Sequence, residues 1–194
     1  DIYVVQVGGE FVVQVNDDGV PRLRISKLYQ ELMKKGPGRK KDETSDFVEE
    51  KLKAAKFLIK SILTRQKTIE KVSKAIVAKQ QEFFKKGTKY LKPMILKDIA
   101  GEIGMHESTV SRATTNKYMH TPIGTFELKY FFNTGIGGKD GGTDVASEVL
   151  KMKIKVLFEN ENAKKPLSDQ KVVDLLAREG ITVARRTVTK YREM

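Results

Sequence analysis

The run from Leu96 to Thr115, LKDIAGEIGMHESTVSRATT, constrains this chain more than any other stretch. Leu96, Ile99, Ala100 and Ile103 recur at helical spacing and predict the inward face of one short helix. Gly104 follows, a residue that turns the backbone through positive φ without steric cost. Val110 and Ala113 then repeat on a second short helix, and Ala100 is small enough to let the two helices approach closely. This is the layout of a helix-turn-helix, whose second helix enters the DNA major groove. His106, Glu107, Ser108, Ser111 and Arg112 fall on the outward side, and all can hydrogen-bond. An ordinary helical hairpin is the competing reading. The combined alanine, glycine and apolar spacing favours DNA.

Charge points the same way. The 194 residues carry a net charge of +12, so an acidic polymer is a natural partner. Cysteine is absent, which removes disulfides, thiolate chemistry and cysteine-based metal sites together. His106 and His120 are the two histidines, too few for a histidine-rich zinc site. No cofactor is called for. No apolar run reaches membrane-spanning length and no signal peptide precedes Asp1, so a cytoplasmic protein without a membrane partner is expected. The chain lacks an initiator methionine and opens on a strand-like run, and so reads as part of something longer.

Ile2 to Val7 and Phe11 to Val15 read as strands, joined at Gly8-Gly9 by a hairpin turn of the primed type. Asn16-Asp17-Asp18-Gly19 is a turn, and Leu23 and Ile25 form a third segment beyond Pro21, completing a small β-meander. Arg22 and Arg24 are most simply a solvated face. A short helix is expected from Leu28 to Lys35, then a basic linker at Arg39-Lys40-Lys41. Thr44, Ser45 and Asp46 are candidate N-caps, with Glu49 placed as in a capping box. The helical pattern that follows runs to about Lys86. Arg65 interrupts its apolar stripe, which predicts two antiparallel helices broken near Thr64 to Lys67. Between Lys34 and Lys92 stand 18 basic and seven acidic residues, an excess suited to DNA or to an acidic protein groove.

Gly87 ends that region and Pro93 opens the helix-turn-helix. Tyr118, Phe126, Leu128, Tyr130, Phe131 and Phe132 are expected to pack under the helix pair, on a wing-like strand or a short helix. The glycine-rich run 135–142 predicts a flexible linker between two independently mobile parts. Beyond it, Val145, Val149, Ile154 and Leu157 mark a helix. Ser168 caps another that carries Val172, Val173, Leu175 and Leu176, and Gly180 closes it. On the last helix Ala184, Val188 and Tyr191 point one way. Arg185, Arg186, Thr189 and Lys190 lie opposite, with Arg192 nearby, and adjacent arginines can read guanine through O6 and N7. The expected fold is thus mainly α: a region 1–92 with a small N-terminal β-meander, a helix-turn-helix unit at 93–134, the linker 135–142, and a separate C-terminal helical helix-turn-helix-like DNA-binding domain at 143–194.

ARRTVTKYRE resembles the C-terminal signature ARRTVAKYRE, the RpoN box, of the bacterial sigma-54 family. GMHESTVSR, TTNKY and TFELKYFF resemble that family's helix-turn-helix region. VGGEFVVQVNDDGVPRLRIS and the stretch through LIKSI resemble its core-binding region. One position departs, Thr189, where the family signature has Ala. The resemblance implies a transcription initiation factor that binds core RNA polymerase and directs it to a bipartite promoter in double-stranded DNA. Region 1–92 would then belong to the part that binds core polymerase. By matching position, Arg185, Arg186, Thr187, Thr189, Lys190 and Arg192 fall to the upstream GG element. His106, Glu107, Ser108, Ser111 and Arg112 fall to the downstream GC element, with Glu107 and Arg112 the preferred contacts.

The family also carries a Gln- and Leu-rich N-terminal region that answers to an ATP-dependent activator. Nothing here matches that region, so this chain is expected to bind polymerase and promoter without mediating activator control. Two other classes compete. A repressor with two helix-turn-helix units and no polymerase contact would share the charge and both readers. An enzyme acting on DNA would need a nucleophile or a carboxylate cluster. Asp17, Asp18, Asp140 and Asp144 sit in turns or beside the linker, so a non-enzymatic role is expected.

Overall fold

The structure is a computed structural model that describes residues 1–34, 43–136, 145–161 and 166–193. Strands β1 (Ile2–Val7) and β2 (Glu10–Val15) form the expected hairpin, and Gly8 and Gly9 both take positive φ (59° and 89°) as a type I′ turn demands. Asn16 Oδ1 accepts from the Asp18 N–H at 2.8 Å, which closes the next turn. The third strand expected at Leu23 to Ile25 does not form. Pro21 lacks an N–H to offer the outer edge of β2, which stays at the end of the sheet, while the far side of β1 takes β3 (Tyr118–Thr121) in parallel, with Ile2 opposite Met119. Leu23 instead lies along α2 (Glu43–Lys79), beside Ile59, Ile62 and Leu63. With β4 (Gly124–Glu127) added to β3, the sheet has the order β2-β1-β3-β4.

Helix α1 spans Lys27–Lys34, close to its predicted bounds. The basic linker at Arg39-Lys40-Lys41 lies outside the described residues. The expected break near Thr64 to Lys67 is absent, because α2 is one helix of 37 residues. It begins at Glu43, ahead of the expected caps. It contains neither Gly nor Pro, so nothing forces a break. Ser61 and Thr68 donate their hydroxyls to Phe57 and Thr64 carbonyls at 2.8 Å, inside the same helix. Ion pairs Glu49–Lys53 and Glu70–Lys74, at 2.7 and 2.6 Å, follow the stabilising i,i+4 spacing. Arg65 breaks the apolar stripe only because it faces solvent. The two halves of α2 differ sharply. Ile69, Val72, Ala75, Ile76 and Val77 are buried, whereas Phe57, Leu58 and Leu63 are exposed.

A short helix, α3 (Gln81–Lys86), carries Phe83 and Phe84 into the core. Phe83 is fully buried, with its ring centroid 5.2 Å from those of Phe84, Phe126 and Phe131 in edge-on geometry. Buried Gln80 clamps the next segment: its amide nitrogen donates to the Lys92 carbonyl at 2.8 Å and its oxygen accepts from the Lys92 N–H at 3.0 Å. The run after the helix-turn-helix is both alternatives at once, the β3–β4 hairpin followed by a 3-10 turn at Leu128–Phe131. Leu128 and Phe131 are buried and Phe126, Tyr130 and Phe132 pack against the core, but Tyr118 is exposed. Tyr118 alternates outward on β3 while Met119 fills the inner face.

The linker expectation changes at its ends. Gly135 and Ile136 form a strand, β5, antiparallel to β6 (Val145–Ala146); the rest of the run, 137–142, lies outside the described residues. Helix α6 (Ser147–Glu159) then straddles two cores. Ala146 and Val149 are buried with the first, and Leu150 and Ile154 with a second made by Val172, Leu176, Ile181, Val183 and Val188. Ser147 also donates to Asn133 Oδ1 at 3.3 Å. The C-terminal unit is therefore docked at its first turn.

Phe83→Ala should cost about 3–5 kcal/mol, as for a large aromatic deleted from a core, read from chemical denaturation. Burial raises the Tyr130 phenol above its ordinary value, and the negative charge of Glu148 adds to the rise. A raised folded value means that this group's contribution to stability is intact below about pH 10 and is lost as pH climbs through the folded value. In an ultraviolet titration of the six tyrosines, Tyr130→Phe should remove ionisation from the alkaline end of the curve.

Candidate nucleic-acid interface

Helices α4 (Leu96–Ile103) and α5 (Glu107–Thr114) form the predicted pair, joined by residues 104–106. Gly104 takes the left-handed conformation (φ 66°, ψ 39°) and the Met105 N–H returns to the Ala100 carbonyl at 3.0 Å. Ile99, Ala100, Val110 and Thr114 are buried between the helices and α2. Asp98 accepts from the Ile95 N–H at 2.9 Å and so caps the start of α4, while Lys79 of α2 pairs with Glu102 at 3.4 Å.

The five residues proposed for this reader do not share one role. His106 precedes α5 as its N-cap: Nδ1 accepts from the Ser108 N–H at 3.2 Å and stands 2.9 Å from the Ser108 hydroxyl. His106 and Ser108 thus spend hydrogen-bonding capacity on one another. Glu107 and Ser111, one turn apart, line a groove with Lys97, Thr115 and Lys129. Arg112 looks the other way, into a notch of about 590 Å³ between α5 and α2. Lys60, Arg65, Thr68, Thr109 and Lys117 line that notch with it. These basic groups of α2 escaped the sequence reading because the predicted break at 64–67 would have carried them elsewhere. The lack of Gly and Pro over 43–79 was the available signal.

The second pair is α7 (Asp169–Arg178) and α8 (Arg185–Arg192), joined by the longer turn 179–184. Ser168 caps α7, its hydroxyl accepting from the Lys171 N–H at 3.3 Å. Gly180 takes φ 81°, and the Ile181 N–H bonds the Leu176 carbonyl at 2.9 Å. Val188 is fully buried and Tyr191 packs beside it, as their spacing predicts, whereas Ala184, the N-cap of α8, is exposed. Arg185, Arg186 and Lys190 are exposed, and Thr187 is half-buried.

Thr189 and Arg192 are oriented otherwise than expected. The Thr189 hydroxyl donates to Asp169 Oδ2 at 2.7 Å, with the Arg185 carbonyl 3.1 Å away as a second acceptor. Arg192 Nη1 meets Asp169 Oδ1 at 2.6 Å and Nη2 donates to the Leu167 carbonyl. The guanidinium also lies 4.2 Å from the centroid of the Phe158 ring. Both side chains thus engage Asp169, an acidic partner 20 residues or more upstream that no local pattern announces, and the Arg192 side chain remains 38% exposed. Among the described residues, no helix is long and apolar enough to cross a membrane.

The family model described as "Sigma-54, DNA binding domain" matches residues 45–194. Similar proteins include RNA polymerase sigma-54 factors of Vibrio anguillarum, 48% identical over all of this chain and 38% of that protein, and of Escherichia coli K12, 46% identical over all of this chain and 40% of its own length. A putative RNA polymerase sigma-54 factor of Clostridium kluyveri is 45% identical, and this chain covers 42% of it. The chain therefore spans about two fifths of the length of these curated relatives. Among solved structures, Aquifex aeolicus sigmaN bound to promoter DNA superposes with a TM-score of 0.59 at 34% identity, over all of this chain and 56% of that one. Since the family model covers both helix-turn-helix units and most of the sequence, the chain belongs to the sigma-54 DNA-binding domain family.

Proposed function

We propose that this chain is the promoter-reading part of a sigma-54-type transcription initiation factor, which binds core RNA polymerase and directs it to a bipartite site. The observation that carries the reading is the presence of two unlike helix-turn-helix units on one chain, each with exposed hydrogen-bonding side chains. Two different readers suit an asymmetric site of two elements, whereas a symmetric repressor dimer would demand a palindrome. Elements read from the same face of the duplex lie about 34–36 Å apart or a multiple of it. The relatives' names and the promoter-bound Aquifex structure support the same reading.

In this reading α8 serves the upstream GG element. Arg185 and Arg186 supply guanidinium forks for guanine, and Thr187 and Lys190 hold phosphates or base edges. Helix α5 serves the downstream element through Glu107, Arg112 and Ser111, with His106 and Ser108 fixing the helix start. Lys60, Arg65 and Lys117 beside Arg112 make the notch attractive to a phosphate backbone. The remaining basic surface between residues 34 and 92 serves core polymerase, and an ATP-dependent activator acts on the full-length factor. The layout of a polymerase-contacting part at 1–92, a helix-turn-helix part at 93–134 and an upstream reader at 143–194 belongs to this proposal.

Competition binding on promoter duplexes at near-physiological salt tests it. A duplex with both elements should outcompete one lacking the upstream GG and one whose spacing is changed by half a turn. Equal binding to all three would reduce the protein to a non-specific polycation. Arg186→Ala should cost about 1–3 kcal/mol on the intact site, the worth of one bidentate base contact, and nothing on the GG-replaced duplex.

A further inference from the structure

We infer that Asp169 is a positioning residue for the upstream-reading helix: it touches no DNA, yet it sets which face of α8 is presented. The inference rests on the proposal that α8 reads DNA. Helix α8 is eight residues long and buries only Val188 completely, so apolar packing alone leaves its rotation weakly fixed. Asp169 supplies two further points. Its Oδ2 holds Thr189 at 2.7 Å and its Oδ1 holds Arg192 at 2.6 Å, three residues further along α8. Two anchors on one carboxylate, about 4.5 Å apart along the helix axis, oppose both rotation and sliding. The carboxylate side chain is only 12% exposed, where a charge must be compensated or is costly.

The same contacts tie the unit together. Arg192 reaches Leu167 at the approach to α7 and stacks on Phe158 of α6, so it binds three segments to α8. Rotating α8 by one residue is a turn of about 100°, enough to carry Arg186 and Lys190 off the groove-facing side. Arg192 keeps 38% of its side chain exposed, but its charge is compensated by Asp169. It counts towards the formal charge but not towards the counterions released.

Equilibrium binding of the whole chain to an intact promoter duplex and to a GG-replaced duplex, over a salt series, tests the inference alongside thermal melting. Asp169→Asn should weaken binding to the intact duplex about tenfold, the scale of one hydrogen bond to a charged group, and leave the GG-replaced duplex unaffected. Thr189→Val, which keeps the shape and removes the hydroxyl, should lose about threefold on the intact duplex, and Thr189→Ser should restore it. Arg192→Gln should leave the slope of log affinity against log salt unchanged, whereas Lys190→Gln should lower it by about 0.9. Equal losses on both duplexes, wild-type binding by Asp169→Asn and Thr189→Val, or a slope change for Arg192→Gln would overturn the inference. If Asp169→Asn melts the unit, Thr189→Val and Thr189→Ser decide it. Arg186→Ala separates the two ideas: loss there with wild-type behaviour in the Asp169 and Thr189 variants defeats this inference alone, and no loss there defeats the DNA reading of α8.

Discussion

Phe83 is where the larger part of the molecule meets itself. Its ring takes edge-on contacts from Phe84 on the same short helix, from Phe126 on a strand and from Phe131 in a 3-10 turn. None of these partners except Phe84 is near it in sequence, so the cluster cannot form until the hairpin after the helix-turn-helix folds back. Once it forms, it fixes β4 and the 3-10 turn against the end of α2. β4 pairs with β3 and β3 with β1, and Ile99 and Val110 of α4 and α5 belong to the same buried cluster as Phe83. The first helix-turn-helix is thus seated on a core that lies away from its polar surface.

Much of the fold was legible where the pattern was local. The Gly104 turn, the type I′ hairpin at Gly8-Gly9, the Ser168 cap and the inward placement of Val188 all rest on residues a few positions apart. What escaped was non-local. Leu23 and Ile25 look strand-like and the outer edge of β2 is open to them, but they lie along α2 instead. Arg65 breaks an apolar stripe, yet a stripe is required only where a helix has something to pack against. The first half of α2 has little, so the stripe lapsed without the helix ending.

The candidate sites show the same division. Exposed Arg186 and Lys190 follow from helical spacing, two residues either side of buried Val188, whereas Arg185, three residues before it, is exposed against that spacing. His106 lies in the right stretch, but the capping geometry at the start of α5 claims its ring nitrogen. Thr189 and Arg192 share a basic, polar segment with the exposed arginines, and what pairs them is a carboxylate on another helix. Net charge counts side chains, while recognition depends on which of them remain unpaired once the chain has folded.

The contrast between the halves of α2 has a consequence for local stability. Amides from about Val72 onward sit in the aromatic and aliphatic core, so exposing them to solvent requires disrupting that core. Amides before about Gln66 are held by backbone hydrogen bonds with few buried side chains above them, and an isolated helical segment is only marginally stable in water. Protection from hydrogen exchange should therefore fall in a gradient from the C-terminal end of α2 to its N-terminal end. A surface that seats the exposed Phe57, Leu58 and Leu63 would add to the stability of the outer turns as well as bind them. For this helix, docking and local folding would be one thermodynamic event.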